Sequence, residues 1–416
     1  MKNGRRRVVV TGMGAISPLG NDVSTTWQGI VEGRSGIGTI TRFDHSRLNT
    51  HIAGEVKSFN VEDYVLPKDA RRMDRFMHYA IAACKQAAAQ ANFEVTEENA
   101  RQTGVMLGSA VGGVETLVDA VVQMHTRGPD RVNPFTIPAL LIDLAGSQVA
   151  IHMGMKGPNL GMVSACSSSA NAIGEAAEII RQGRARVMFA GGAEAPVCQI
   201  GFAAFGVMRV LSTRNDTPEA ACRPFDKMRD GFVMSEGAAV VVLEDLDHAL
   251  ERGANIIAEV TGYGTGVDAF HLAAPAEGGE GAQWAMEDAL TSAGLQPEDI
   301  DYINAHGTGT QANERAETMA IKAAFGDHAY KVPISSTKSM TGHMIGAAGG
   351  MEAIFCIKAI QEGIIPPTIN YEVPDPECDL DYVPNKARKA DVRRAMTNSM
   401  GLGGHNAVLI FERFDA

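Results

Sequence analysis

One cysteine, two histidines and a lysine stand in this chain where apolar runs give way to small, flexible loops, and together they could carry covalent acyl chemistry. The cysteine lies in Met162-Val163-Ser164-Ala165-Cys166-Ser167-Ser168-Ser169-Ala170. An apolar strand stops there and small residues open an amphipathic helix, which puts Cys166 beside the unpaired N–H groups of a helix N-terminus. The positive end of the helix dipole favours thiolate and predicts a pKa below the usual value of about 8.5. A free cysteine is equally a small buried hydrophobe, and from this segment alone both readings stand.

The histidines shift that balance. His306 sits in Asn304-Ala305-His306-Gly307-Thr308-Gly309-Thr310, and His343 closes Ser336-Thr337-Lys338-Ser339-Met340-Thr341-Gly342-His343. Both follow strand ends in loops of Gly, Ser and Thr, where α/β folds place their active sites. Lys338 shares the second loop. A fourth segment is Asn398-Ser399-Met400-Gly401-Leu402-Gly403-Gly404-His405. Glycines on both sides of Leu402 let its backbone N–H point into a site as an oxyanion donor. A nucleophile, neutral imidazoles that donate near pH 7 and a backbone donor suit acyl transfer through a covalent intermediate. That chemistry requires no metal or redox cofactor.

Elements must hold these loops. Short apolar runs at 8–10, 104–108, 160–164, 186–190, 239–243, 257–263, 300–304, 332–335 and 407–411 read as strands. Helical patterns at 73–91, 167–182, 282–293, 312–325 and 347–361 fall between them. Such alternation predicts an α/β protein with parallel sheets covered on both faces. A polar helical segment at 246–255 separates two stretches that read alike in outline, an N-terminal half at 4–250 with the cysteine and a C-terminal half at 256–412 with both histidines. Gly12 and Gly14 imitate a dinucleotide fingerprint, but Ser17 replaces its third glycine and Pro18 stands where the helix should run.

The chain has 416 residues, 45% of them hydrophobic, and a formal charge of −12. That acidity argues against nucleic acid and anionic membrane as partners. No run approaches the roughly 18 apolar residues of a membrane span. Arg5, Arg6 and Arg7 before Val8 imitate a secretory leader, yet glycines and Pro18 break the apolar stretch at once. Six cysteines without CxxC spacing read as reduced thiols of a cytoplasmic protein. Lys68, Arg71, Arg72 and Arg75 form a basic cluster that, by itself, reads as a solvated helix face.

In family order, the motifs at 8–20, 163–168, 211–216, 223–226, 229–233, 304–310, 335–349 and 398–406 resemble the β-ketoacyl-[acyl-carrier-protein] synthases, most closely the elongating synthase II type. The resemblance covers essentially the whole chain. It implies a thiolase-like duplicated fold of five αβαβα layers, a homodimer, and acyl carrier protein as partner. Cys166 would take the acyl chain as a thioester. His306 and His343 would hold the malonyl thioester and stabilise the enolate left by loss of CO2, with Lys338 supporting them. The N–H groups of Cys166 and Leu402 would form the oxyanion hole, and Thr308 and Thr310 would bind the pantetheine arm. Asn304, Glu352, Asn398 and Ser399 match a cluster that holds a monovalent cation in relatives. Lys68, Arg71, Arg72, Arg131 and Arg209 match or adjoin the carrier-docking positions, and Val111 matches a tunnel-wall position where relatives carry a larger Ile.

Three positions depart from the family pattern. Leu402 replaces a phenylalanine gate, His405 replaces a common threonine, and Asn313-Glu314 replaces Gly-Asp, a form nearer nodulation-type and some polyketide synthases. With Val111, Leu402 implies a roomy pocket for medium to long acyl chains. A thiolase would need a second cysteine in the 401–406 loop, a starter-type synthase III would carry Asn at position 343, and a non-catalytic chain-length factor would lack Cys166.

Overall fold

The computed structural model describes residues 6–415. Gly4, at the start of the N-terminal half, and Arg5 of the basic lead-in lie outside the described residues. Ten strands form the central sheet: β1 (Val8–Ile16), β2 (Thr103–Gly108), β3 (Asn159–Met162), β4 (Val187–Glu194), β5 (Gly237–Asp245), β6 (Ala258–Val267), β7 (Tyr302–Asn304), β8 (Ile334–Ser335), β9 (Arg394–Gly401) and β10 (His405–Glu412). Their order across the sheet is β8-β7-β9-β10-β6-β1-β5-β4-β2-β3.

The sheet is two copies of one five-strand pattern. In the first, β1–β5 and β5–β4 are antiparallel, while β4–β2 and β2–β3 are parallel. The second repeats this as β6–β10, β10–β9, β9–β7 and β7–β8. Within the sheet, among the described residues, Val9↔Glu259 and Val10↔Ala258 join the copies. The sheet is therefore mixed, where alternation along the chain predicted parallel strands. Strand direction was not legible because a strand buried on both faces reads as the same apolar run in either orientation. All nine residues of β5 are buried.

Six helices complete the layers: α1 (Arg75–Gln90), α2 (Leu144–Met153), α3 (Ser168–Arg181), α4 (Glu280–Ala293), α5 (Gln311–Phe325) and α6 (Ala348–Glu362). Helices α1 and α2 cover the outer face of the first half, and α4 packs on the second with α5 against it. Between the halves, α3 and α6 pack on each other and on strands of both copies, giving five layers. Their apolar side chains, among them Ile173, Ile180, Met351 and Phe355, share one core with Val241 and Leu409.

The duplication reaches single residues. A Cβ on Gly12 or Gly14 would lie 2.1 or 1.9 Å from the carbonyl oxygens of Ala87 or Ala83 in α1. Gly262 and Gly264 of β6 meet Ala289 and Ala285 of α4 in the same way, at 2.6 and 2.1 Å. The first pair of glycines thus serves helix-on-sheet packing, with the strand running straight through the would-be nucleotide turn. Gly14→Ala must push the α1 backbone away and should cost about 1–3 kcal/mol of stability, read as a lower urea midpoint. Gly206→Ala, whose Cβ meets nothing within 4 Å, should leave the midpoint unchanged or raise it.

Candidate active site

Strand β3 stops at Met162, and the chain turns sharply into α3 through a short 3-10 turn at Ala165–Ser167. The turn requires φ = +51° at Ala165, a left-handed conformation that an alanine enters at a cost. Serines hold it in place. The Ser164 N–H donates to Ser168 Oγ at 2.9 Å, and Ser168 Oγ donates to the Ala165 carbonyl at 2.6 Å. Ser167 Oγ reaches the carbonyls of Ser399 and His405 at 3.1 and 2.9 Å, tying the turn to the β9–β10 hairpin. The small residues around Cys166, legible in sequence as room for substrate, are thus also its scaffold.

Three strand ends converge on that turn. Cys166 Sγ and one ring nitrogen from each of His306 and His343 lie within 4.8 Å of one another. The two imidazoles stand edge to face, with centroids 5.3 Å apart and planes at 85°. Phe232 packs against His343 in the same manner at 5.3 Å. The His306 loop hangs on Glu317 of α5, whose two carboxylate oxygens accept from the N–H groups of His306 and Gly307 at 2.7 and 2.8 Å.

Lys338 lies behind the pair. Its Nζ donates to the His306 carbonyl at 2.6 Å, approaches His306 Nδ1 at 3.4 Å and is ion-paired with Glu352. An ammonium group only donates, so Nδ1 of His306 accepts and the ring proton resides on Nε2. The Leu402 N–H is directed at Cys166 Sγ.

The electrostatics correct one expectation. Burial pushes the Cys166 thiol up to about 11, outweighing the pull of Lys338 and the Leu402 N–H. A helix terminus cannot offset the loss of water around a thiolate enclosed by apolar neighbours. Burial likewise drives both histidines well below their ordinary range, with Lys338 adding to the effect, so both rings are neutral near pH 7. Burial raises Glu352 and Glu314 to about 7, against the opposing charges of Lys338 and Arg229 respectively.

A cavity of about 180 Å³ opens above these groups, lined by Cys166, His306, His343, Thr308, Thr310 and Leu402 among others. Thr308 and Thr310 share a hydrogen bond at 3.1 Å, and Thr310 also caps α5. Leu402 stands at the hairpin tip, 38% exposed. Val111 does not line this cavity. It lies in a neighbouring open groove with Leu140, Leu141, Ile142 and Val163, because its loop turns toward the exposed edge strand β3.

Glu352 Oε2, Asn398 Oδ1 and Ser399 Oγ are buried oxygens with no hydrogen-bond partner, and Glu352 is the one paired with Lys338. Oxygens are the ligands a hard cation takes, but Asn398 reaches Met286 and Glu317 on one face of β9 while Ser399 lies at Gly349 on the other. Asn304 is occupied differently, donating to Thr337 Oγ1 at 3.3 Å. Lys68, Arg71, Arg72, Arg131 and Arg209 are all exposed. Arg72 lies over the Phe135 ring at 4.9 Å, bringing the first cluster toward Arg131, and Arg209 lies between the cavity-lining residues Met208 and Val210.

Sequence reasoning passed over Phe232, Ile345 and Glu317 as site residues. The apolar pair resembled ordinary core. Glu317 was detectable only as a carboxylate one helical face away from Asn313. All six cysteines are free and buried, and Cys166 alone lines the cavity.

Residues 5–249 match the model of the β-ketoacyl synthase N-terminal domain, and residues 257–372 match that of the C-terminal domain. The chain belongs to the β-ketoacyl synthase family. Within that family, the 3-oxoacyl-[acyl-carrier-protein] synthase 2 of Staphylococcus aureus (strain COL) is 51% identical over 411 residues, covering 99% of both chains. Among solved β-ketoacyl synthase-like structures, the ishigamide ketosynthase/chain length factor superposes with a TM-score of 0.92 at 38% identity, covering 99% of this chain and 100% of that one. A type II polyketide ketosynthase bound to its acyl-carrier protein superposes at 0.90 with 32% identity over the same shares.

Because the thiol is held near 11, its alkylation should accelerate about tenfold per pH unit between pH 7 and 9. Iodoacetamide labelling of Cys166, followed by mass spectrometry, measures this. A rate that levels off below pH 9 would mean that the thiolate is stabilised beyond what the site geometry supplies.

Proposed function

We propose that this β-ketoacyl synthase catalyses decarboxylative condensation of malonyl-acyl carrier protein with a Cys166-bound acyl group, extending a fatty acid by one cycle. The observation that carries the reading is the meeting of one thiol and two neutral imidazoles at the floor of a single cavity. The name of the 51% identical relative supports fatty acid elongation over a specialised polyketide role. The type II polyketide ketosynthase is less similar, at 32%.

In the first half-reaction, Cys166 Sγ attacks the carrier-bound acyl carbonyl. The thiol proton goes to the departing carrier thiolate as the carrier C–S bond breaks. The N–H groups of Cys166 and Leu402 hold the oxyanion. In the second, the malonyl C–CO2 bond breaks and its electron pair enters the thioester carbonyl. His306 Nε2–H and an N–H of His343 donate to that enolate oxygen, as a buried low-dielectric site favours. The enolate carbon then attacks the Cys166 thioester, the C–S bond breaks to release 3-oxoacyl-carrier protein, and the Cys166 thiolate takes up a proton from solvent to restore the thiol. Neutral rings are the right form, since they donate without adding a buried charge.

The halves at 4–250 and 256–412 divide the labour, the first giving the nucleophile and the second both histidines. Thr308 and Thr310 line the path of the pantetheine arm. The resemblance would place a monovalent cation near Asn304, Glu352, Asn398 and Ser399, of which Glu352 offers an unpartnered oxygen behind Lys338. The exposed cations Lys68, Arg71, Arg72, Arg131 and Arg209 would receive the acidic carrier protein. Edge strand β3 is solvent-facing, with Leu160 and the Val163 that follows it exposed, and an unpaired apolar edge of this kind supports pairing with a second copy in a homodimer. Val111 beside that edge would then serve the tunnel wall. No helix among the described residues is long and apolar enough to cross a membrane, in keeping with a cytoplasmic enzyme.

Cys166→Ala should abolish acyl-enzyme formation and condensation while retaining part of the malonyl decarboxylation. His306→Ala and His343→Ala should each cut decarboxylation by about 10²–10³ and spare acylation more. Radiolabelled acyl transfer and CO2 release separate the two, and an acyl-enzyme still formed by Cys166→Ala would sink the assignment. Reversing charge at Arg71 and Arg72 together should raise the carrier KM and flatten its salt dependence, with little change toward small thioesters.

A further inference from the structure

The inner end of β4 carries a carboxylate that takes no part in the steps above. Glu194 is fully buried and accepts four hydrogen bonds: from Ser109 Oγ at 2.6 Å, Ala110 N–H at 2.7 Å, Val111 N–H at 3.2 Å and Gly346 N–H at 2.9 Å. Three donors come from the loop after β2. The fourth comes from the turn that enters α6, three residues beyond His343.

The duplication explains the place of this carboxylate. Ala165 at φ = +51° precedes Cys166 and helix α3, and Ile345 at φ = +46° precedes Gly346 and helix α6. Gly346 is therefore the counterpart of Cys166. Strands β4 and β9 are both eight residues long and end opposite the first residue of their antiparallel partners, as Glu194↔Gly237 and Gly401↔His405. Glu194 is thus the counterpart of Gly401. At 401 the lack of a side chain leaves the Cys166 N–H open, since a Cβ there would sit 3.1 Å from that nitrogen. At 194 the side chain fills the equivalent space. It does so tightly, because a Cβ on Gly346 would lie 2.5 Å from Glu194 Oε2.

We propose that Glu194 is a positioning residue whose carboxylate occupies the internal counterpart of the Cys166 oxyanion site and thereby clamps the His343 loop to the 109–112 loop. The inference rests on the role given above to His343 in decarboxylation. His343 keeps its main-chain pairing with Val233 and Ser235, but without the clamp the strained Ile345 turn loses its tie to the 109–112 loop and the His343 ring shifts relative to the malonyl carbonyl. A displacement of about 1 Å is enough to cost roughly a hundredfold in rate.

Glu194→Gln keeps the volume but turns an amide NH2 toward two of the four donors. Malonyl decarboxylation should fall about a hundredfold, with the carrier KM unchanged and acylation of Cys166 less affected. Glu194→Gly leaves a pocket ringed by the same four donors. Added propionate should restore decarboxylation saturably, while propionamide, of the same shape without the charge, should not. A folded Glu194→Gln variant that decarboxylates at the wild-type rate would overturn the proposal, as would equal rescue by propionamide. Should Glu194→Gly fail to fold, Glu194→Gln decides. Wild-type protein that neither decarboxylates nor condenses would overturn the functional reading itself, a result separate from failure in the variants alone.

Discussion

Helices α3 and α6 are buried against each other between the two halves of the sheet, and this packing is the constraint on which the site depends. A helix packed on most of its faces must be small and apolar there, so α3 is rich in Ala and Ile, with Glu175 on its exposed face, and α6 begins Ala348-Gly349-Gly350. Close approach is visible at Gly349, where a Cβ would meet Ala170 and Ser399, and at Gly350, where one would meet Ala239. Because both helices start next to the sheet ends, their N-terminal turns open at the centre of the molecule. Cys166 sits in one such turn, and His343 just precedes the other.

The same arrangement removes water from every group that reacts. Desolvation outweighs all other influences on Cys166, His306 and His343, holding the thiol protonated and the imidazoles neutral. The charges retained in the interior are compensated: Lys338 by Glu352 and the His306 carbonyl, Glu317 by two loop N–H groups, and Arg229 by Asp375. Donors are thereby fixed before substrate arrives, which is what electrostatic stabilisation in a low-dielectric site requires.

Duplication supplies two equivalent turns, and chemistry has made them unequal. One keeps an open N–H beside a thiol, while the other has Gly346 with its N–H bound to Glu194. Both histidines come from the second copy, so the reactive triad exists only where the copies meet. Within the sheet their main-chain pairing is slight, Val9 and Val10 against Glu259 and Ala258; beyond it His343 pairs with Met234 and Pro374 with Asp226, and the shared core of α3 and α6 completes the geometry.

Cys166, His306, His343, Lys338 and Leu402 could be picked out from sequence because each lies in a run of small residues after an apolar strand, a local pattern that needs no knowledge of the rest of the fold. The same holds for α1, α3, α4, α5 and α6, whose periodicity placed them within two residues or so of their observed ends. Strand β9 escaped notice because the polar residues Thr397, Asn398 and Ser399 interrupt its apolar run. Strand direction, the equivalence of Gly12 and Gly14 with Gly262 and Gly264, and the placing of Val111 outside the main cavity all depend on contacts between distant segments. So does the thiol pKa. A helix N-terminus is a local feature that sequence reveals, whereas the water excluded from Cys166 is a sum over every element packed around it, and only the tertiary structure decides that sum.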